Sequence, residues 1–384
     1  MHSSLLGDNQ VAIIGGGPAG LALAAILQRR GAHITIYERD RSPEDIRTSG
    51  GTLDIHAEDG QVALAAAGVM ERFRELARPT GERMVDERGI IAIEEEPDRE
   101  FGRPEIDRID LHRLLLESLA PGTVVWDRNF QGLERREGRF ILRFANGTEE
   151  TADVVVGASG IRSKVRAYVT GTTPEFTGTV AIRGEIAHPT LDCPEFAALV
   201  NQGNLMARGE GKALFAHTKA DGGIHYYLTF RRPADWFSRL GLTPEPAAVT
   251  EFLEREMVNW APVYHQGFRG TTEFAFLSIN RVPLVSDRVV DHPITLIGDA
   301  AHAMTPFAGV GVNIGLVDAL TLADNLTGGE FASLEDAIRT YERTMYGYAS
   351  EAQEMSAEAE LAIHSDMTAE ELIAATRGPS SPGV

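Results

Sequence analysis

The segment from residue 11 to residue 38 constrains this chain more than any other. Val-Ala-Ile-Ile at 11–14 is wholly apolar, the pattern of a buried parallel strand. Gly15-Gly16-Gly17-Pro18-Ala19-Gly20 follows. Residues 18–30 then read as a helix with proline in its first turn, Leu21, Ala25 and Ile26 on one face, and Gly31 at its stop. Residues 34–37 form a second β-rich run that ends at Glu38. Strand, glycine turn, helix and strand within about 30 residues make a right-handed βαβ unit and require a parallel sheet. In this G-x-G-x-x-G turn Gly15 permits the tight bend, Gly17 lets the backbone approach a pyrophosphate, and Gly20 lets helix and strand pack. The helix N-terminus offers unpaired N–H groups to phosphate, and Glu38 stands where ribose hydroxyls would be met. FAD and NAD both use such a turn, so it implies a dinucleotide without choosing between them.

Later segments return to the same pattern. Residues 154–156 and 294–297 are further continuous apolar runs, and a long helix is expected around 311–325. Residues 110–119 carry a helical stripe of leucines, with Asp110 placed to cap it. Residues 124–126, 131–135, 140–144 and 148–153 read as a meander with a hairpin at Asn146-Gly147. Short strands are expected around 83–93. From 177 to 284 the alternation is mostly strand-like, with one helix at 246–260. The expected fold is therefore α/β: a Rossmann-like domain built from both ends of the chain (1–175 and 286–326), an inserted β-rich substrate domain (176–285), and C-terminal bridging helices with a tail (327–384).

Composition narrows the partners. In 384 residues, 36 basic against 56 acidic side chains leave a formal charge of −20. A field of that sign repels nucleic-acid phosphates and anionic lipid. One cysteine, Cys193, excludes an internal disulfide and a C-x-x-C redox pair, and it leaves eleven scattered histidines without a zinc pattern, so no metal is expected. No apolar stretch reaches 18 residues, and nothing resembles an export signal. A cytoplasmic monomer acting on a small molecule is the expectation, with no nucleic-acid or membrane partner.

The choice of nucleotide comes from a second motif. Residues 294–313 run strand, Gly298-Asp299-Ala-Ala-His302, Pro306 and then Gly309-Val-Gly311-Val312-Asn313. An Asp at a strand end can bind ribityl hydroxyls, and the helix start beyond it stabilises negative charge on a reduced flavin ring. His302 reads as holding the loop rather than moving protons. This stretch resembles the second fingerprint of the FAD-dependent aromatic monooxygenases of the para-hydroxybenzoate hydroxylase class. Residues 152–166 are similar to a third family segment, with Ser159 where its Asp-Gly pair has Asp.

Within that class, Tyr37-Glu38-Arg39-Asp40, Gly50-Gly-Thr-Leu-Asp54-Ile-His56, residues 192–196 and Thr305-Pro306-Phe307-Ala-Gly309 resemble the tetracycline-inactivating flavin monooxygenases, the tetracycline destructases, nearly end to end. The resemblance implies FAD contacts from Arg39, Asp54, His112 and Asp299 and from the loop and helix start at Pro306, Gly309, Gly311, Val312 and Asn313, besides the first turn. It assigns Arg47 to NADPH. His112 stands where those enzymes have Arg. It implies a substrate wall of Arg183, Asn204, Phe215, His225 and Phe307, in which Arg183 replaces a Gln, Asn204 an Arg, and Val310 a Gln. Taken without the resemblance, Phe215 and His225 read as core, and Arg183 as half of a surface pair with Glu185. With no second nucleotide fold, NADPH is expected to bind transiently over the flavin. The implied activity is an NADPH-consuming hydroxylation with O2, of a tetracycline or of another phenol or polyketide. No acid or base is nominated, because an enolate substrate is already nucleophilic. A reading from another class is a flavin-binding carrier or drug-sequestering protein without oxygenation.

Overall fold

Four strand pairings build the parallel sheet around the glycine turn. In the computed structural model, which describes residues 5–46, 51–285, 292–365, 367 and 371, its order is Ile294–Leu296, Val154–Gly157, Gln10–Ile14, His33–Tyr37 and Val124–Val125. Every pair is parallel, with Ile14 opposite both Tyr37 and Gly157. Val154–Gly157 is buried at all its positions, as a strand covered on both faces must be. Val124–Val125 departs from the expected meander and forms the edge of this sheet instead. Two valines are too short a run to show alternation, and the backbone decides: Ile36 N–H donates to Thr123 O (2.9 Å) and Glu38 N–H to Val125 O (3.0 Å). The other three strands do form a meander, Phe130–Arg136, Arg139–Phe144 and Glu149–Ala152, with Gly147 at φ +84° in the hairpin.

The second sheet has seven strands, in the order Glu273–Arg281, Glu175–Ile186, Ile224–Arg231, Lys212–Thr218, Asn204–Gly209, Glu82–Asp86 and Ile91–Glu95. Its last two strands come from the N-terminal part of the chain and join through a parallel pairing of Glu82–Asp86 with Asn204–Gly209. One face packs on short helices, Pro194–Val200, Pro246–Glu256 and Pro262–Arg269, around a core that includes Val180, Ile182, Tyr226 and Leu228. Helices beyond the one expected here start at Pro189, Pro194, Trp236 and Pro262. The other face looks into a cleft. Two short strands, Thr52–Asp54 and Glu105–Asp107, pair antiparallel at the border.

The leucine-striped helix runs Arg108–Glu117, with Asp107 rather than Asp110 at its N-cap. The Asp107 carboxylate turns away from the helix to accept from Arg78 Nη2 (2.7 Å) and from the Ala220 N–H (3.1 Å), so the helix has no side-chain cap. The helix Leu334–Ile363 has 30 residues, about 45 Å at 1.5 Å per residue, and it spans both sheets. Near its start Tyr341 OH donates to Leu296 O (2.9 Å); near its end the Glu360 carboxylate accepts from Thr177 Oγ1 (2.8 Å), Arg231 Nη1 (2.9 Å) and Thr179. Among the described residues no helix is long and apolar enough to cross a membrane.

Candidate active site

A cleft of about 1600 Å3 is bordered by the glycine turn, the Gly298–Asp299 turn and the open face of the seven-stranded sheet. Pockets for one drug-sized ligand run to roughly 300–1,000 Å3, so this one has room for more than a single small molecule. At the glycine turn, Gly15 adopts φ +114°, and a Cβ there would lie 2.7 Å from the Ala158 carbonyl. A Cβ on Gly20 would lie 2.3 Å from Gly15 O, so a side chain would force turn and helix apart. Gly17 is the opposite case: nothing lies within 4 Å of its Cβ position, and the helix Pro18–Arg29 that it opens has no side-chain cap. Uncapped N–H groups therefore face an open cradle. That geometry fits a pyrophosphate.

Glu38 and His112 close this turn from two sides. Glu38 Oε2 accepts from the Gly16 N–H (2.6 Å) and Oε1 from the Asp40 N–H (3.2 Å). His112 Nε2–H donates to Gly16 O (2.8 Å), and burial lowers its pKa, which keeps the ring neutral. Both also border the cleft, with Ala19 and Arg39.

The second turn is held from beneath. Gly298 (φ +58°) donates its N–H to Asp318 Oδ2 (2.6 Å), which also bonds His302 Nε2 (2.6 Å), while Tyr348 OH donates to Oδ1 (2.5 Å). Asp318 is fully buried. Burial alone would lower the His302 pKa, but the charge and hydrogen bond of Asp318, with the charge of Asp299, together outweigh it and the net shift is upward. Arg166 donates to the backbone carbonyls of Ala300 (2.8 Å) and Asp299 (3.3 Å). The Asp299 side chain is left exposed at the cleft. An exposed carboxylate on a clamped turn suits hydroxyl donors such as those of a ribityl chain.

Asp54 and Asn313 behave differently from an open contact. Asp54 Oδ2 accepts from Arg103 Nη2 (2.6 Å) and meets His56 Nε2 at 3.0 Å. Burial pushes the Asp54 pKa up, yet the hydrogen bonds from His56 and Arg103 leave it below the usual carboxylate range. Asn313, fully buried, accepts from the His56 N–H and donates to Asp54 O, 2.9 Å each. Its amide ties the Asp54 loop to the helix Gly311–Thr327 and does not border the cleft. Pro306, Gly309, Gly311 and Val312 do.

The sheet wall follows a period of two. Asn204 and Met206, Phe215 and His217, Tyr227 and Thr229, and Leu277 and Ile279 all border the cleft, as does Phe307, whose ring centroid lies 5.9 Å from that of Phe215. Arg183 and His225 share this sheet face but stand outside the cleft lining. Arg183 pairs with Glu273 (2.8 Å), not with Glu185. His225 has no exposed side-chain surface and donates from Nδ1 to Glu185 (2.6 Å). A Cβ on Gly51 would come within 2.7 Å of its ring, so the loop seals it in. Arg47 lies outside the described residues.

Sequence reasoning missed Glu105 and His217. His217 Nδ1 lies 2.9 Å from Asn204 Oδ1, and Asn204 Nδ2 donates to Glu105 Oε1 (2.7 Å). Burial, then the charge of neighbouring His225, brings His217 down to about 4, and burial raises Glu105. The alternation of residues 204–217 carried a signal for His217. Glu105 sits on a three-residue strand and carried none.

The chain's residues 8–202 and 240–349 match the family model described as an FAD binding domain. It is 32% identical over 87% of its length to 3-amino-4-hydroxybenzoate 2-monooxygenase PtmB3 of Streptomyces platensis, covering 83% of that protein. Its fold superposes with a TM-score of 0.78 on a putative FAD-containing monooxygenase from Photorhabdus luminescens, at 27% identity, covering 94% of this chain and all of that one. The tetracycline destructase Tet(55) superposes with a TM-score of 0.74 at 20% identity, covering 98% and 99%, a likeness of fold. By these matches, laid over a cradle and a clamped acidic turn that fit the dinucleotide, the chain belongs to the FAD-binding-domain family of the FAD-dependent hydroxylases.

Proposed function

We propose that this protein is an NADPH-consuming monooxygenase that hydroxylates an electron-rich ring, phenolic or enolic. The observation that carries the reading is the joining of the dinucleotide cradle and the substrate-type wall in one continuous cleft. FAD, when bound and reduced by NADPH, supplies a hydroxyl derived from O2. The chain's own residues do the rest. Gly17 and the helix start would hold the pyrophosphate, Glu38 the ribose, and Asp299 the ribityl hydroxyls. Met84, Met206, Phe215 and Phe307 would hold a flat ring and exclude water, which otherwise diverts the oxidant. Asn204 and His217 supply the polar edge that turns the ring. Arg47 is proposed to meet NADPH, and Arg47→Ala would then raise its KM without changing flavin content.

Tetracyclines form a second reading within the same chemistry. The Gly51-Thr-Leu-Asp54-Ile-His56 string favours it. Arg183 and His225, engaged with Glu273 and Glu185, weigh against it, since they were its expected anchors. One experiment separates the readings: the flavin-loaded protein, NADPH and air, with a tetracycline or with salicylate or 3-amino-4-hydroxybenzoate. Substrate-stimulated NADPH loss with a +16 product from a phenol alone supports the first reading, and from the tetracycline the second. No stimulation by any ring compound returns the chain to the carrier alternative.

A further inference from the structure

The polar edge of the sheet wall has a direction built into it. The Asn204 side chain bridges two groups: Nδ2 donates to Glu105 Oε1 (2.7 Å), which points Oδ1 at His217 Nδ1 (2.9 Å). A carboxylate oxygen accepts, so the amide cannot be turned round without setting oxygen against oxygen. An amide oxygen likewise accepts, so Nδ1 of His217 must carry the proton. In a neutral imidazole the other nitrogen is then a bare acceptor. His217 is kept neutral by burial, and its Nε2 makes no hydrogen bond among the described residues. The ring borders the cleft, between Phe215 on its own strand and its cross-strand partner Asn204.

We infer that His217 is a specificity-determining residue, whose Nε2 is a fixed hydrogen-bond acceptor that selects ring substrates presenting an O–H or N–H donor at this wall. The inference rests on the ring-hydroxylase reading and deepens it: the substrate docks as the neutral phenol or aniline-type donor. A phenolate would set its oxygen against the nitrogen lone pair. Two of the arginines that border the same cleft are already paired, Arg103 with Asp54 (2.6 Å) and Arg83 with Glu94 (2.6 Å). Glu105 and Asn204 are positioning residues, acting on the ligand through the tautomer they impose. A buried site built to accept a hydrogen bond discriminates strongly against an analogue that lacks the donor.

Nitrogen NMR of the flavin-loaded protein with 15N-histidine reads the tautomer directly, with His217→Gln assigning the resonance. At neutral pH the proton is expected on Nδ1, and Asn204→Leu is expected to release the ring into a mixture of tautomers, which a merely structural histidine would not show. Phenol is expected to move the bare Nε2 resonance upfield; anisole, the same ring without the donor, is expected to need at least about tenfold more ligand or to leave it in place. A proton on Nε2 would overturn the inference. So would an Asn204→Leu spectrum unchanged in tautomer, a resonance unmoved by phenol, or equal responses to phenol and anisole. None of these readouts requires turnover. If phenol moves Nε2 while no ring compound stimulates NADPH oxidation, the hydroxylase reading fails and the acceptor stands; the reverse pattern removes His217 alone.

Discussion

At Asp299 a single carboxylate faces the cleft from a turn whose backbone is held by Arg166 and Asp318. Because the turn is held without it, Asp299→Ala should leave the fold intact and weaken FAD. A hydrogen bond to a charged group is worth about 1.5–3 kcal/mol, roughly a ten- to hundredfold rise in Kd by flavin fluorescence. Unchanged affinity would remove Asp299 from the flavin contacts. His217 carries a pH signature of its own. Its folded pKa is about 4, against 6.5 ordinarily, so between those values the unfolded chain binds a proton that the folded chain refuses. Stability must then fall on acidification from about pH 6.5 to pH 4, by up to about 2–3 kcal/mol from this group. Urea midpoints at pH 7 and pH 5 should differ less in His217→Gln than in the wild type. His112 and His364 are also depressed, but they remain in both proteins and cancel in the comparison.

At the scale of elements, the strand Glu175–Ile186 shows what alternation can and cannot tell. By alternation Val180, Ile182, Gly184 and Ile186 share one face, and that face packs on the helices. Gly184 lies against Tyr226, and a Cβ there would come within 2.2 Å of the ring. Gly184→Ala should therefore overpack the sheet and cost about 1–3 kcal/mol, read as a lower urea midpoint. An unchanged midpoint would mean that the ring has somewhere to move. The same alternation puts Arg183 on the opposite face, yet that face includes both the cleft and the sealed corner under Gly51. Period two names the side of a sheet; it does not say what stands in front of each residue. The missing information was the partner, Glu273, ninety residues away on the neighbouring strand.

Across the whole molecule, the helix Leu334–Ile363 fastens one sheet to the other. Its far end does so through Glu360, nearly buried, which accepts from Thr177, Thr179 and Arg231. Glu360→Ala would leave these donors unmatched and should cost about 1–3 kcal/mol of stability. Because His364 and Phe307 pack just beyond it, ring centroids 5.3 Å apart, the variant should also lose near-UV ellipticity from the cleft wall. A wild-type melting temperature and spectrum would show that the helix end is not a fastening.

The α/β class and the two acidic glycine turns were legible in the sequence because their information is local. Consecutive residues make strand, turn and helix, and steric limits at Gly15 and Gly20 act over a few bonds. The alternation of the strand Glu175–Ile186 was equally local. Whole-chain pairing alone decided that Glu82–Asp86 would join the seven-stranded sheet, that Val124–Val125 would edge the parallel one, and that Glu105, Asn204 and His217 would meet. Apart from the Asn204–His217 pair on neighbouring strands, those contacts join segments about a hundred residues apart. Their energies come from burial and hydrogen-bond partners that no neighbouring residue specifies, so the polar edge of the cleft exists only once the chain has folded.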